Sequence, residues 1–396
     1  MKDALLLPRR VEQAEAKVWP YRPKPIPGEL VSSYIARIAN GLGMQPITFL
    51  NSIMGSRKNL LAQDLDNFCP SNLVQRIAEG CDVEPEAITE CTFPSFEGLL
   101  IHNLKKKGRN AWILPTTVDN CMRLRPGLQF CPKCLAEERP HFRMMWRLAF
   151  ATICTKHGTL LLDRCPHCRE PVHPLESIEA WRCHRCAMDM RTETPSAQMT
   201  TFHWQRRAER GLEVGWTELG GEFVSSTVWF MIARQVAALL VNGPKAQAFR
   251  TTSASLYGGD DRAYPKPTRR QPIEYLEIDD RARLFNQVAE LMHGWPHRFV
   301  EASASAGLCR SHAIKDMSYV PYAFEKMLGS YLDATPYRAT DGEVAAAAAW
   351  LRRTKGAAYY RDLKHLCGES RMAIYRHMDY QRRQSKPSVW RARSGA

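Results

Sequence analysis

The 396-residue sequence predicts a mainly α, multidomain protein with small β elements confined to its middle, on three observations. Apolar residues recur at three- and four-residue intervals, glycine and proline cut the chain into short segments, and cysteine pairs crowd into residues 131–186. Residues 1–25 have no stable period and carry Pro8, Pro20, Pro23 and Pro25, which predicts an extended arm draped over another part of the molecule. From Glu29 to Asn40, Leu30, Val31, Tyr34, Ile35, Ile38 and Ala39 form one helical face, and Gly41 stops it. Pro46 then opens a second short helix through Phe49, Leu50 and Ile53, the outline of a helix-turn-helix. The outline returns at Leu73–Gly80 with Pro85–Cys91, and again at Tyr359–Leu366, Gly368 and Ser370–Met378.

The middle of the chain is dominated by cysteine. Of thirteen cysteines, six form the pairs Cys131/Cys134, Cys165/Cys168 and Cys183/Cys186, and Cys154 with His157 repeats the same gap with an imidazole. A two-residue turn lets both side chains reach one tetrahedral ion, with backbone amides free to bond the thiolates. In a large chain of ordinary globular composition, such spacing favours metal over disulfides. Two zinc ions are expected. Grouped in sequence order, the ligands make a Cys₃His site (Cys131, Cys134, Cys154, His157) and a Cys₄ site (Cys165, Cys168, Cys183, Cys186). This grouping closes the shorter loops and is favoured on chain entropy, with an interleaved grouping as the alternative. Either way four ligands saturate each ion, so the sites read as structural and the chain as a non-enzyme. Nearby His167, His173 and His184 are candidates to replace a cysteine, while Trp146, Trp181 and Phe142 are expected to pack around the ribbons.

Charge points to a polyanionic partner. The chain carries a net +14, of which residues 350–396 supply +9. Arg371, Arg376, Arg382 and Arg383 there, and Lys105, Lys106 and Lys107 in a loop before Trp112, are the candidate nucleic-acid or partner contacts. The longest apolar run, Val228 to Val241, is broken by Arg234 and Gln235 and is shorter than the roughly 20 residues of a membrane helix. It reads as a buried helix. Leu5, Leu6 and Leu7 run into Pro8-Arg9-Arg10 without a secretory pattern, so a cytoplasmic location without membrane contact is expected. Helices are also expected at Ala282–Met292, Ala323–Leu332 and Ala345–Ala349, with linkers at Thr192–Thr200 and Thr252–Pro272. No phosphate-cradling glycine loop or nucleophile with a positioned base is present in the sequence.

These parts sum to a mainly α fold with small zinc-ribbon β elements, built from a helix-turn-helix domain, two zinc sites and a helical C-terminal domain. The expected division is an arm (1–25), an N-terminal helical domain (26–115), a double zinc-ribbon region (116–191), a helical segment (201–250), a linker (251–272) and a basic helical domain (273–396).

The string Pro27-Gly28-Glu29-Leu30-Val31-Ser32-Ser33-Tyr34-Ile35-Ala36-Arg37-Ile38-Ala39 is followed by Cys131-Pro132-Lys133-Cys134-Leu135, Phe142-Arg143, Trp146-Arg147-Leu148, Cys154 and His157. Together they resemble the TniQ/TnsD family of transposon target-selection proteins, over roughly residues 20–190. Tyr34 stands where that family carries tryptophan. The resemblance implies a non-catalytic adaptor, bacterial and nucleoid-associated, that marks an insertion site and recruits a AAA+ transposition regulator. Some members bind DNA directly and others join a CRISPR RNA-guided, Cascade-type complex as a homodimer; length and a helical C-terminal half favour the latter or mercury-transposon relatives. It carries the eight cysteine and histidine positions over as structural zinc ligands. The alternative is a free-standing, zinc-containing helix-turn-helix regulator that binds a DNA sequence.

Overall fold

The computed structural model describes residues 18–55, 64–106, 108–118, 121–124, 127–265, 273–333, 339–368 and 374–376. The chain forms two compact units, 1–332 and 333–396. In the first, helices α1 (Val31–Gly41), α2 (Pro46–Met54), α3 (Ser71–Cys81) and α4 (Pro85–Thr89) pack around Tyr34, Ile38, Phe49, Leu73, Ile77 and Ile88. Prolines open α2 and α4, where a missing N–H costs no intrahelical bond. The two N-terminal helix-turn-helix outlines are thus formed as helix pairs, α1 on α2 and α3 on α4.

The described part of the arm lies on this bundle. Trp19 donates its amide to the Gly80 carbonyl at 2.8 Å and sets its ring edge-on to Phe49. Tyr34 is buried and donates its hydroxyl to the Pro23 carbonyl at 2.8 Å. The tyrosine that stands in place of tryptophan therefore fastens the arm as well as filling the core. Residues 1–17 lie outside the described residues.

Short hairpins follow: β1 (Thr117–Val118) with β2 (Cys121–Leu124), then helix α5 (Pro132–Leu135), then β3 (Ile153–Cys154) with β4 (Thr159–Leu160). Beyond them come α6 (Met199–Val214), the hairpin β5 (Trp216–Leu219) and β6 (Glu222–Ser225), α7 (Ser226–Asn242), α8 (Ala246–Tyr257), α9 (Ile278–Met292), α10 (His297–Ser305), α11 (Arg310–Ala313) and α12 (Tyr322–Tyr331). The run at 228–241 is α7, with Trp229, Phe230, Ile232, Ala233, Val236 and Leu239 all buried. Its polar interruptions have partners: Arg234 pairs with buried Glu274, and Gln235 donates to the Ala313 carbonyl.

The contacts divide the chain at a different point from the linker expected at 251–272. Residues 251–257 complete α8, Tyr264 is buried between Arg250 and Arg283, and α9–α12 share one core with α6–α8. The cause is aromatic packing: Trp204 lies 5.2 Å from Trp229 and 5.5 Å from Phe285, and Trp112 lies within 5.9 Å of Phe150, Phe230 and Phe285. The β5–β6 hairpin is a second difference, inside a stretch expected to be helical. Gly220 and Gly221 both take positive φ, as a two-residue turn between twisted strands requires.

In the second unit, α13 (Asp341–Lys355) packs on α14 (Tyr360–Cys367) through Leu351 and Leu363, and Ile374 joins that core. Thr340 and Glu343 form a capping box at the start of α13, and Gly368, at φ 66°, ends α14. The third outline's first helix is thus formed, and of its second helix residues 374–376 are described as helical.

Candidate metal centres and their scaffold

The eight ligand candidates fall into the sequential groups, each with its ligand atoms within 4.8 Å of one another. In the first, Cys131 and Cys134 start and end the first turn of α5, while Cys154 and His157 flank the tip of the β3–β4 hairpin. The His157 Nδ1 lies 3.5, 3.3 and 3.5 Å from the sulfurs of Cys131, Cys134 and Cys154, and Cys134 lies 3.6 Å from Cys154. An ion with bonds of about 2.3 Å to sulfur and about 2.0 Å to nitrogen spaces tetrahedral ligands by roughly 3.5–3.8 Å, so the donor set fits. The other ring nitrogen, Nε2, faces Glu137 at 3.5 Å, the carboxylate placement that orients a metal-bound imidazole. Hydrogen bonds from Cys134 and Cys154 hold the Cys131 thiol far below its ordinary range, and those with Cys131 and Cys154 push Cys134 far above it. Three clustered sulfurs cannot ionise together without a cation to neutralise them.

The second group is made of two like turns. Cys165 and Cys183 each accept a backbone amide on sulfur at 3.4 Å, from His167 and Arg185. The chain returns by amide bonds from Arg169 to the Cys165 carbonyl and from Ala187 to the Cys183 carbonyl, with both residues at positive φ. Cys165 lies 3.7 Å from Cys186, and Cys168 lies 3.6 Å from Cys183. These separations are far beyond the roughly 2.05 Å of a disulfide. The three neighbouring histidines stand apart from both groups: His167 bonds the Asp189 carbonyl, His184 faces Glu176, and His173 is half-buried, edge-on to His184.

The scaffold ties these centres to helices. Buried Gln205 on α6 accepts the amides of Thr152 and Ile153 at 3.0 and 3.1 Å and returns a bond to the Ile153 carbonyl at 2.7 Å, next to Cys154. Phe142 and Trp146 are buried with rings 6.3 Å apart, and Trp181 lies between the guanidinium groups of Arg182 and Arg191.

Sequence reasoning missed the polar core that joins the N-terminal bundle to the first centre. Residues 28–30 are laced to residues 142–144: Leu30 donates to the Phe142 carbonyl and Met144 to the Gly28 carbonyl, at 2.9 and 2.8 Å. Glu29, fully buried, accepts from Ser33 and from both arms of Arg37, and Ser33 in turn accepts the Phe142 amide. Asp66 accepts the amide and hydroxyl of Ser32. Buried Arg147 donates to Asp66, to both oxygens of Asp64 and to the Leu114 carbonyl. Charged residues inside an otherwise apolar string were the available signal, because a buried charge requires a partner.

The candidate nucleic-acid residues are less organised. Lys105 and Lys106 are exposed, Lys106 over the Phe68 ring, and Arg376 is exposed. Lys107, Arg371, Arg382 and Arg383 lie outside the residues whose structure is described. Residues 71–90 carry five carboxylates and one arginine, and the only charged residue of α1 and α2 is Arg37, which is held by Glu29. Among the described residues, then, the two N-terminal helix pairs offer phosphate contacts a single exposed cation, Arg76. No described helix is long and apolar enough to cross a membrane.

No curated protein matches the chain. A protein-family comparison matches residues 20–161 to TniQ, a span that takes in the arm from Pro20 onward, helices α1–α4 and the whole Cys₃His group. Over that span the chain is similar to the TniQ family.

Proposed function

We propose that the chain is a non-catalytic target-selection adaptor of transposition, which marks an insertion site and recruits a AAA+ regulator. The single observation that carries this reading is the family match over residues 20–161, whose distinctive residues are spent on scaffold. Glu29, Ser32, Ser33, Arg37 and Arg147 lock elements together in the core. Both metal centres have four protein ligands, which suits structural zinc that fixes loop shape. Zinc there supplies folding energy and cross-linking. The weak cationic character of α1–α4 favours protein docking over direct base reading by these helices, so the site is marked through a guided complex, with the chain as a homodimer.

Deleting the gene from a host that carries the element and sequencing new insertions tests the reading: scattered or absent insertions are expected, and unchanged site choice overturns it. Co-purification with a AAA+ ATPase or a CRISPR ribonucleoprotein is the matching biochemical result. The basic C-terminal region favours the second reading, a free-standing DNA-binding regulator. That reading requires nanomolar binding of the isolated protein to one defined duplex, with affinity falling steeply with salt.

A further inference from the structure

Helix α6 lies beyond the family-matched span and presents a face that the scaffold does not use. His203, Arg206, Arg207 and Arg210 are all exposed and stand at positions i, i+3, i+4 and i+7, which places them in one row on the helix. Among the described residues, none of the three arginines is within ion-pair distance of a carboxylate. Glu209, the acid beside them, is turned inward to Thr155 and Gln205. The row spans about 10 Å at the helical rise of 1.5 Å per residue.

The β5–β6 hairpin borders this row. Glu218 and Leu219 line a groove of about 560 Å³ together with His203, Arg207 and His293. Trp216 shares the outer face of the strand with Glu218, and Phe223 is the cross-strand partner of Glu218, so both aromatics stand on that same outer face. They are exposed to 61 % and 79 %. Glu213 and Glu218 are the acids bordering the surface, and neither pairs with the arginines.

We propose that the α6 cationic row and the Trp216/Phe223 hairpin form a binding surface for single-stranded nucleic acid. Cations in a row follow a phosphate backbone, and flat exposed rings offer a stacking surface to unpaired bases, which a duplex keeps inside its own stack. The pairing of the two is what selects a single strand. An acidic protein or an anionic membrane would engage the same arginines, and each is an arm of the test below. The inference stands apart from the transposition reading: strand binding is measured in solution on the purified chain, whereas insertion-site choice is measured in cells.

The test is fluorescence anisotropy of the full-length protein with a labelled 15-nucleotide oligothymidine, titrated with salt. Replacing Arg206, Arg207 and Arg210 together by glutamine should weaken binding and flatten the logarithmic salt slope by about 2, near the single-strand value of 0.7 per phosphate contact. Trp216→Ala with Phe223→Ala should weaken binding by at least about tenfold and leave the salt slope unchanged, because stacking releases no counterions. A triple arginine-to-lysine variant should retain the wild-type slope, and far-UV circular dichroism confirms that each variant is folded. Wild-type affinity in the aromatic variant, an unchanged slope in the glutamine variant, or tighter binding to a duplex of equal length overturns the proposal. So does capture of phosphatidylglycerol vesicles or polyglutamate with no binding to the oligonucleotide.

Discussion

The Arg147 guanidinium donates to the Asp66 carboxylate at 3.0 Å across 81 positions of sequence, and both side chains are buried. The same guanidinium holds Asp64 and the Leu114 carbonyl, so one cation closes the seam between the N-terminal bundle and the metal region. Arg147→Met would leave two facing carboxylates without a counter-charge and should cost about 3–5 kcal/mol in urea unfolding, the usual penalty for breaking a buried pair from one side. Adding Asp66→Asn should recover part of that loss.

Burial pushes the Asp66 carboxyl up to about 6, against the pull of Arg147. Between its ordinary value of about 4 and that value, the folded chain holds a proton that the unfolded chain has released. This group's contribution to stability therefore falls as pH rises through 4 to 6. Asp66→Asn should remove that component, read as the difference between wild-type and variant unfolding curves across the window. A constant difference with pH would contradict it.

Each metal centre should fail alone. Cys131→Ser should cost one zinc and expose the β3–β4 hairpin to protease, and Cys165→Ser should cost the other and expose residues 165–186, because ligand loss removes folding energy locally. Elemental analysis with limited proteolysis reads both effects. Two retained ions with normal resistance would contradict the assignment.

Gln205 makes α6 answerable to the first centre. Gln205→Leu would strand the buried amides of Thr152 and Ile153, at about 1–3 kcal/mol for each unsatisfied group. The expected outcome is lower stability together with faster zinc loss to a chelator from the Cys₃His site alone, followed with a colorimetric zinc indicator.

The arm is held by shape. A Cβ at Gly80 would fall 2.3 Å from the Trp19 indole, and one at Gly41 would fall 2.0 Å from the Tyr21 ring. Gly80→Ala should therefore displace the arm at a cost of about 1–3 kcal/mol. The measurement is a red shift in tryptophan fluorescence and faster cleavage near residue 20, with α3 intact.

The metal groups were legible because their information is local: a ligand, two residues and a second ligand announce a site wherever the chain later runs. Their sequential grouping followed from loop length. Helices α1, α2, α7 and α9 were legible from periodicity, since a one-sided apolar face needs no knowledge of its neighbour. The Arg147–Asp66 seam was not, because nothing within a turn of either residue names a partner 81 positions away. The unit boundary after Leu332 was hidden for a related reason: glycines and prolines at 258–272 resemble a tether, while Trp204, Trp229 and Phe285 bind the helices on either side into one core. The β5–β6 hairpin did carry a local sign, the Gly220-Gly221 pair between alternating strands, and a stronger helical pattern on both sides masked it.

The lacing of residues 28–30 to 142–144 means that the two ends of this stretch meet inside the fold. A cut in the loop near Gly108 would leave two fragments sewn together by the backbone bonds of residues 28–30 to 142–144, by Ser33 with Phe142, and by Asp66 with Arg147. Expressed from separate genes, the halves should complement one another, whereas a chimera that exchanges only one half with a relative should fail at the suture.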